Sequence, residues 1–407
     1  MCTPPLDTSQ IPSNGKPPSE KKHPAGKLLG SVIQPIPSSE PKGSRIQRVC
    51  LQILRLFSLK PTIGRVSAQQ VKLKVLSDIN SEKPITKERV DALVGLIKTL
   101  RKAERNDVVF VDVIKLATIF KHYESAPEEA KTKITERAGN SGSYHMRGPA
   151  NEILGVFKPE KEEDHLSVRM IQGDGAVREH LASVLNEDKF YPIPSTFYIK
   201  LGDDIGSLQI FKKDCIPFAE LYFACNDSDD NPADKFPHNP IQRSILFDLR
   251  FGNADRHLGN LLVSGENLWM IDHGECMPVS ESPFKLEQST FLPQSEKEWD
   301  KDVIDHVKSW NTTTIHRHAA IMREHGVSEY AISHMLFSTM MLSKLIVPAE
   351  GKPKLTPGDV ATLFIKNYDE ISKYSQYKDV DASLAQMLGE IDEHILQLVA
   401  KKKLEPK

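Results

Sequence analysis

The chain has 407 residues, with 53 Lys and Arg against 55 Asp and Glu, and 39% of its residues are hydrophobic. This composition is typical of a globular protein of roughly two to three domains, and the near-neutral charge excludes a dedicated nucleic-acid binder. No apolar run reaches the roughly 18 residues of a spanning helix, and the first residues lack the pattern of a signal peptide. The five cysteines form no C-x-x-C pair, so we expect a cytoplasmic protein without structural zinc.

The first two regions predicted along the chain precede any strand. Residues 1–45 contain nine of the 27 prolines and predict a disordered tail. Residues 46–125 show helical periodicity, and Thr86 is placed to cap the helix that carries Val90, Leu93 and Ile97 on one face. Two interpretations stay open for this helical region: a structural brace, or a module that binds a protein partner.

The remaining residues predict strands first and helices afterwards. Within residues 126–216, three strands are predicted over 133–160 and two more over Ser195–Leu201 and Ser207–Lys212, with a helix over Ala176–Leu185 between them. Residues 217–400 are mostly helical in pattern, with helices predicted over Trp299–Trp310, Ser328–Ile346, Asp359–Ile365 and Ala382–Ala400. The predicted fold class is therefore α+β, in two lobes.

The residues with the clearest chemistry lie between 251 and 275. Two short apolar strands, around Leu261 and Leu268, are joined by a polar turn, so a hairpin is predicted there. Such a hairpin returns Asp272 to the loop that contains Asp255 and Asn260. Carboxylate and amide oxygens are hard ligands that suit Mg²⁺ bound to a polyphosphate, and this order of residues is found in kinases.

Four segments in this order resemble a known family. Residues 139–144 read GNSGSY, residues 155–164 GVFKPEKEED, residues 253–260 NADRHLGN and residues 271–278 IDHGECMP. Together they resemble the phosphatidylinositol 3- and 4-kinase superfamily, and are most similar to type II phosphatidylinositol 4-kinases of the plant-type γ group. The resemblance covers roughly residues 135 to 300. It implies a two-lobed kinase-like fold, with a β-rich N-lobe and a mostly helical C-lobe, that uses ATP and Mg²⁺.

The resemblance also implies a nucleotide site in the N-lobe. Lys158 matches the ATP-binding lysine, and Glu179 matches the carboxylate that orients it. Two alternatives stay open for this pairing: Glu152 orients Lys158, or Glu179 belongs to a solvated helix face. Phe211 and Lys212 match the segment that bonds adenine through its backbone, and the Phe211 ring either stacks on adenine or fills the core. The phosphate-covering turn corresponds to Gly139, Ser141, Gly142 and Ser143.

In the C-lobe the resemblance implies a catalytic loop and a metal pair. Asp255 corresponds to the catalytic acid, with Arg256 and His257 beside it. Arg256 is expected to brace the loop, whereas His257 either shares the proton transfer or has a structural role. Asn260 and Asp272 correspond to the magnesium ligands.

The acceptor is less well defined by the sequence. Residues 160–175 lack the cysteines that animal type II enzymes carry, and residues 275–299, which follow the Asp272-His273-Gly274 motif, have only Lys285 and Lys297 as bases. Constitutive membrane anchoring is therefore in doubt, while peripheral membrane contact is expected. The resemblance associates the γ-like group with both lipid and protein phosphorylation. Three hypotheses stay open: a phosphoinositide kinase, a protein Ser/Thr kinase on the same scaffold, and a nucleotide-binding scaffold or pseudokinase.

Overall fold

The computed structural model describes residues 67–138, 142–163, 174–186, 188–224, 231–279, 292–348, 350–351 and 353–366. The tail predicted over residues 1–45, the beginning of the predicted helical region and the helix predicted over Ala382–Ala400 lie outside these residues.

Three helices precede the first strand: α1 (Ala68–Ile79), α2 (Lys87–Lys98) and α3 (Val108–Ser125). Ser67 begins α1 with a capping box, because its hydroxyl accepts from the Gln70 backbone N–H at 3.3 Å while the Gln70 side chain accepts from the Ser67 N–H at 3.0 Å. Thr86 stands at the N-cap of α2 as predicted, but its side chain makes no capping hydrogen bond. The helical periodicity of this region is confirmed.

A five-stranded antiparallel sheet follows, in the order β1-β2-β3-β5-β4. Its elements are α4 (Glu128–Ile134), β1 (Thr135–Ala138), β2 (Ser143–Arg147), β3 (Ile153–Pro159), α5 (Asp174–Val184), β4 (Thr196–Leu201) and β5 (Asp204–Ile210). The predicted start of β5 at Ser207 was wrong. A tight turn with Gly202 at φ +62° pairs Leu201 directly with Asp204, so β5 begins as soon as the turn ends.

The three helices and the sheet share one hydrophobic core. Val90 and Phe110 of the helices belong to the same buried cluster as Phe197 of β4. Ile85 also forms a parallel bridge with Ile199, which covers the β4 edge of the sheet. This packing favours the brace interpretation. The domain division after residue 125 stays a prediction, and the hydrophobic core continues across it.

The second lobe is mostly helical and is packed around its own core. Its elements are β6 (Ile216–Pro217), α6 (Phe218–Phe223), α7 (His238–Phe251), β7 (Leu261–Ser264), β8 (Asn267–Met270), α8 (Lys301–Ser309), α9 (Thr312–Glu324), α10 (Glu329–Ile346) and α11 (Pro357–Lys366). The predicted two-lobed α+β fold is therefore confirmed. Among the described residues, no helix is both long and apolar enough to cross a lipid bilayer.

Candidate active site

The hairpin of β7 and β8 places the predicted catalytic loop beside the predicted metal ligand. The two strands pair along their full length. Just beyond β8, the Ile271 N–H donates to the Asn260 carbonyl at 3.0 Å. The Asn260 side chain in turn donates from Nδ2 to the Asp255 carbonyl at 3.0 Å. The structure thus brings Asp255, Asn260 and the strand end before Asp272 together, as the hairpin predicted.

Arg256 braces this arrangement from inside the protein. Its side chain is buried, and its Nε donates to Asp248 of α7 at 3.1 Å. Its Nη1 donates to the carbonyls of Asn260, at 3.0 Å, and Ile271, at 2.6 Å. These bonds fix α7, the loop and the end of β8 to one guanidinium. Arg256, predicted within the catalytic group, is therefore placed as a positioning residue.

His257 and Asp255 are both held by local hydrogen bonds. The His257 Nδ1 accepts from the Gly259 N–H at 3.1 Å, which caps the short 3-10 turn Leu258–Asn260. This bond favours the structural role for His257, and a share in proton transfer through Nε2 stays a prediction. The Asp255 N–H donates to the Asn253 side chain at 3.0 Å. The loop is therefore fixed through its backbone, and the Asp255 carboxylate is not needed to hold it.

Lys158 on β3 connects the two lobes. Its Nζ lies 2.5 Å from Glu179 Oε1 on α5 and 2.9 Å from Asp272 Oδ1. Desolvation alone would lower the Lys158 pKa, but the charges of Asp272 and Glu179 outweigh it and raise the pKa above its ordinary value. Glu152, the other carboxylate considered for this pairing, instead accepts from the Ala150 N–H at 2.9 Å. Lys158 is therefore a cation held between two carboxylates at the junction of the lobes.

Glu179 is positioned by groups that the sequence analysis did not assign. The carboxylate of Glu163 accepts from the Ala176 N–H at 2.7 Å and so caps the first turn of α5. On the other side, His273 Nδ1 lies 3.5 Å from Glu179 Oε2, and the ring is fully buried. Burial raises the Glu179 pKa, but Lys158 and His273 lower it further, so that the net shift is downward. The carboxylate is therefore charged and facing Lys158.

Gly142 and Ser143 lie at the tip of the β1–β2 hairpin, whereas Gly139 and Ser141 are outside the described residues. Gly142 has φ +60°, and a Cβ there would lie 2.7 Å from the Glu162 carbonyl oxygen. Only glycine fits this position without strain. Ser143 is buried and opens β2 opposite Ala138. The turn thus packs directly on the residues that follow β3.

Phe211 and Lys212 follow β5 at the connection between the lobes, which we call the hinge. The Phe211 N–H donates to the Leu154 carbonyl at 3.0 Å, and its ring meets His145 of β2 edge-on at 5.9 Å. His145 pairs with Val156, so by strand alternation it shares a face of the sheet with Lys158. Phe211 is therefore half-buried on the Lys158 face, whereas Lys212 extends to the ring of Trp269.

Residues 158–350 match the family model for phosphatidylinositol 3- and 4-kinase. The resemblance predicted from the sequence is confirmed. The chain is 25% identical over 321 residues to phosphatidylinositol 4-kinase gamma 4 of Oryza sativa subsp. japonica, which covers 68% of this chain and 53% of that protein. It is 28% identical over 291 residues to phosphatidylinositol 4-kinase gamma 2 of Arabidopsis thaliana, and this match covers 61% of this chain and 51% of that protein. The chain spans about half the length of the curated relatives it matches.

The solved structure of the Helicobacter pylori proinflammatory kinase CtkA matches this chain with a TM-score of 0.26 and 12% sequence identity. The match covers 63% of this chain and 94% of the CtkA chain. The fold assignment does not depend on it. The span matched to the phosphatidylinositol 3- and 4-kinase family begins at Lys158 and includes Glu179, the hinge, the catalytic loop and Asp272. Gly142 and Ser143 precede that span.

The residues available for Mg²⁺ fit a hard cation. The Nδ2 of Asn260 is engaged by Asp255, which leaves Oδ1 as the ligand atom. Asp272 uses Oδ1 to accept from Lys158, and its side chain is 43% exposed, so Oδ2 can reach a cation. Mg²⁺ is typically bound by one or two oxygen ligands from the protein, with the remaining ligands from phosphates and water. Asp272 has φ +59°, a conformation that costs an L-residue energy and so indicates a constrained position.

Asp248 was missed by the sequence analysis. It lies on α7 between buried Ile245 and Leu249, and it is itself fully buried. A charged residue on the apolar face of a helix was the signal that could have identified it. Its ion pair with Arg256 and its bond from Asn253 at 3.1 Å make it the anchor of the catalytic loop.

Proposed function

We propose that this chain is a kinase that uses ATP and Mg²⁺ to phosphorylate a hydroxyl of a phosphoinositide headgroup. The observation that supports it most is the position of Lys158, bonded to both Glu179 and Asp272 next to the loop of Asp255 and Asn260. Phosphoryl transfer needs a cation on the nucleotide phosphates, ligands for Mg²⁺ and an acid that orients the acceptor. Here all three stand on separate elements that one hairpin and one ion pair hold together.

Each residue has a distinct role in this proposal. Lys158 binds nucleotide phosphate as a point charge, and Glu179 keeps its ammonium in place. Asn260 and Asp272 hold Mg²⁺, which would neutralise charge on the phosphate oxygens. Asp255 accepts a hydrogen bond from the acceptor hydroxyl and takes its proton.

The adenine base and the phosphates have separate contacts. The backbone of Phe211 and Lys212 bonds adenine, and the Phe211 ring covers it on the Lys158 face. The turn containing Gly139, Ser141, Gly142 and Ser143 covers the phosphates with backbone N–H groups.

The lipid acceptor is supported by the relatives, which are named phosphatidylinositol 4-kinases. A lipid acceptor implies that the protein acts as a peripheral protein at a membrane surface from the cytoplasm. The geometry of Lys158, Asp255 and Asp272 serves a protein hydroxyl equally well, so the assay must separate the two acceptors.

The test is phosphoryl transfer from radiolabelled ATP with Mg²⁺, with and without phosphatidylinositol liposomes. Label in the lipid fraction is expected from the wild-type chain and not from Asp272→Asn. Asp305→Asn is the matched control, because Asp305 is an exposed carboxylate whose one ion pair among the described residues is with Lys301. Label on protein alone would replace the lipid acceptor by a protein acceptor. No label at all, with nucleotide still bound, would refute kinase activity and favour a nucleotide-binding scaffold.

A further inference from the structure

A cavity of about 280 Å³ lies behind the hinge. Its walls come from the start of α3, the segment between α5 and β4, the start of α7, the beginning of β8 and Lys212. None of Lys158, Glu179, Asp255, Asn260 or Asp272 lines it. Among the described residues that are predicted to bind nucleotide, Lys212 alone lines the cavity, through its side chain. Because Phe211 lies on the Lys158 face and Lys212 extends to Trp269, the cavity and the candidate active site meet different sides of the hinge.

Two lysines of this cavity lack an acidic partner. Lys212 Nζ lies 3.8 Å from the centre of the Trp269 ring, and Lys189 stands at the rim. Among the described residues, no carboxylate lies within 4 Å of either ammonium. Desolvation lowers the pKa of both lysines, even though Lys189 as a residue is exposed, and the charges of Lys115 and Lys189 lower the Lys212 pKa further. The charge of Asp112 raises both pKa values and offsets part of this effect, but it forms no ion pair with either ammonium.

The two carboxylates that line the cavity, Asp112 and Glu266, form no ion pair with either lysine. Asp112 is 3% exposed, accepts from the Ser195 hydroxyl at 2.6 Å and lies 3.8 Å from the Lys115 ammonium. Glu266 is exposed at the tip of the β7–β8 turn. Neither reaches an ion-pair distance from Lys189 or Lys212.

A third donor in the wall also lacks a partner. Arg243 pairs with Asp302 through Nη2 and donates from Nη1 to the Phe190 carbonyl at 3.2 Å, but its Nε is buried without an acceptor among the residues that the structure describes. A buried donor that makes no hydrogen bond is destabilising. An anion in the cavity would neutralise both lysines.

We propose that this cavity, which Arg243 also lines, binds a small dianion, either a phosphoryl group or a dicarboxylate, through Lys189 and Lys212. A volume of about 280 Å³ is at the lower end of the range for small-molecule sites, so it fits a compact anion and not a folded segment. The ligand would connect the hinge to the C-lobe hairpin at Trp269. Coupling to nucleotide binding rests on the proposed function, whereas anion binding itself does not.

The test is isothermal titration of the full chain with inorganic phosphate and, separately, with malonate, at constant ionic strength. Each titration is run first without and then with a non-hydrolysable ATP analogue and Mg²⁺, which occupy the nucleotide site. We expect binding of at least one probe, and we expect Lys189→Gln to weaken it about tenfold, as is typical of one charge-assisted hydrogen bond. Lys213→Gln is the matched control, because this neighbouring lysine loses the same charge and its side chain is 85% exposed.

The results separate this proposal from others. Equal weakening by Lys189→Gln and Lys213→Gln would mean nonspecific attraction and would overturn the site. Loss of probe binding when the analogue is added would place the anion in the nucleotide site and would also overturn it. Absence of binding to both probes at millimolar concentration would refute it directly. Anion binding by a chain that transfers no phosphate would refute the proposed kinase function and leave this site standing.

Discussion

The pairing of Lys158 with Glu179 gives the sharpest test of the candidate site. In Glu179→Gln the amide keeps the size of the side chain but loses its charge, so Lys158 loses its partner at 2.5 Å and retains only Asp272. A hydrogen bond to a charged group contributes about 1.5–3 kcal/mol. If that energy positions Lys158 for the nucleotide, kcat/KM for Mg-ATP should fall by about 10- to 150-fold.

The assay is the initial rate of phosphoryl transfer at several ATP concentrations, with circular dichroism and thermal unfolding to verify the fold. Glu152→Gln is the matched control, since Glu152 is exposed and holds the Ala150 N–H instead of Lys158. We expect this control to retain kcat/KM within about twofold, an effect below 0.5 kcal/mol. If Glu179→Gln retained full activity, or if Glu152→Gln lost as much, the ion pair would not position Lys158 for catalysis.

The other predictions concern the metal pair, the brace and a buried histidine. Asp272→Asn should abolish Mg-ATP turnover and leave thermal unfolding nearly unchanged, whereas persisting turnover would contradict the metal assignment. Arg256→Gln leaves Asp248 buried without its arginine partner and should lower the free energy of unfolding, measured with urea, by about 3–5 kcal/mol. A decrease below about 1 kcal/mol would contradict the role of Arg256 as a brace. Burial lowers the His334 pKa from 6.5 to about 4, and the unfolded chain takes up the proton first. The contribution of His334 to the free energy of unfolding should therefore fall by up to about 1.4 kcal/mol per pH unit between pH 6.5 and 4. Urea unfolding at pH 7.5 and 5 should show a smaller loss of stability in His334→Gln than in the wild-type chain, and equal losses would count against this histidine.

The parts of the site that could be predicted from the sequence are those built by local geometry. A hairpin of two short strands returns the chain to its starting point, so the proximity of Asp255, Asn260 and Asp272 followed from the turn between the strands. Gly142 occupies a position with positive φ, which is the usual reason for a glycine at the tip of a turn. In both cases a few neighbouring residues determine the backbone, and the pattern of side chains indicates them.

The parts that could not be predicted depend on contacts between distant segments. The bridge between Ile85 and Ile199 joins the helical region to the edge of the sheet, and no periodicity within residues 46–125 indicates it. The choice of Glu179 over Glu152 depends on where α5 packs, which Glu163 helps to fix through its cap. β5 ends at Ile210, two residues before the predicted boundary at Lys212, so the alternation of the strand does not determine the side-chain direction of Lys212. The ends of secondary-structure elements are the least predictable part of them.

Arg256 shows why a motif can identify ligands without identifying what holds them. A guanidinium carries five N–H donors in a rigid fork, and three of its bonds here join Asp248, Asn260 and Ile271. These partners belong to α7, to the catalytic loop and to the end of β8, so one side chain sets the distance between Asn260 and the residue after Ile271. Asp272 is that residue. The two proposed metal ligands are therefore positioned by a buried arginine whose described hydrogen bonds go to the Asp248 carboxylate and to the carbonyls of Asn260 and Ile271. In the D-R-H sequence of the loop, the arginine provides this brace beside the proposed catalytic acid.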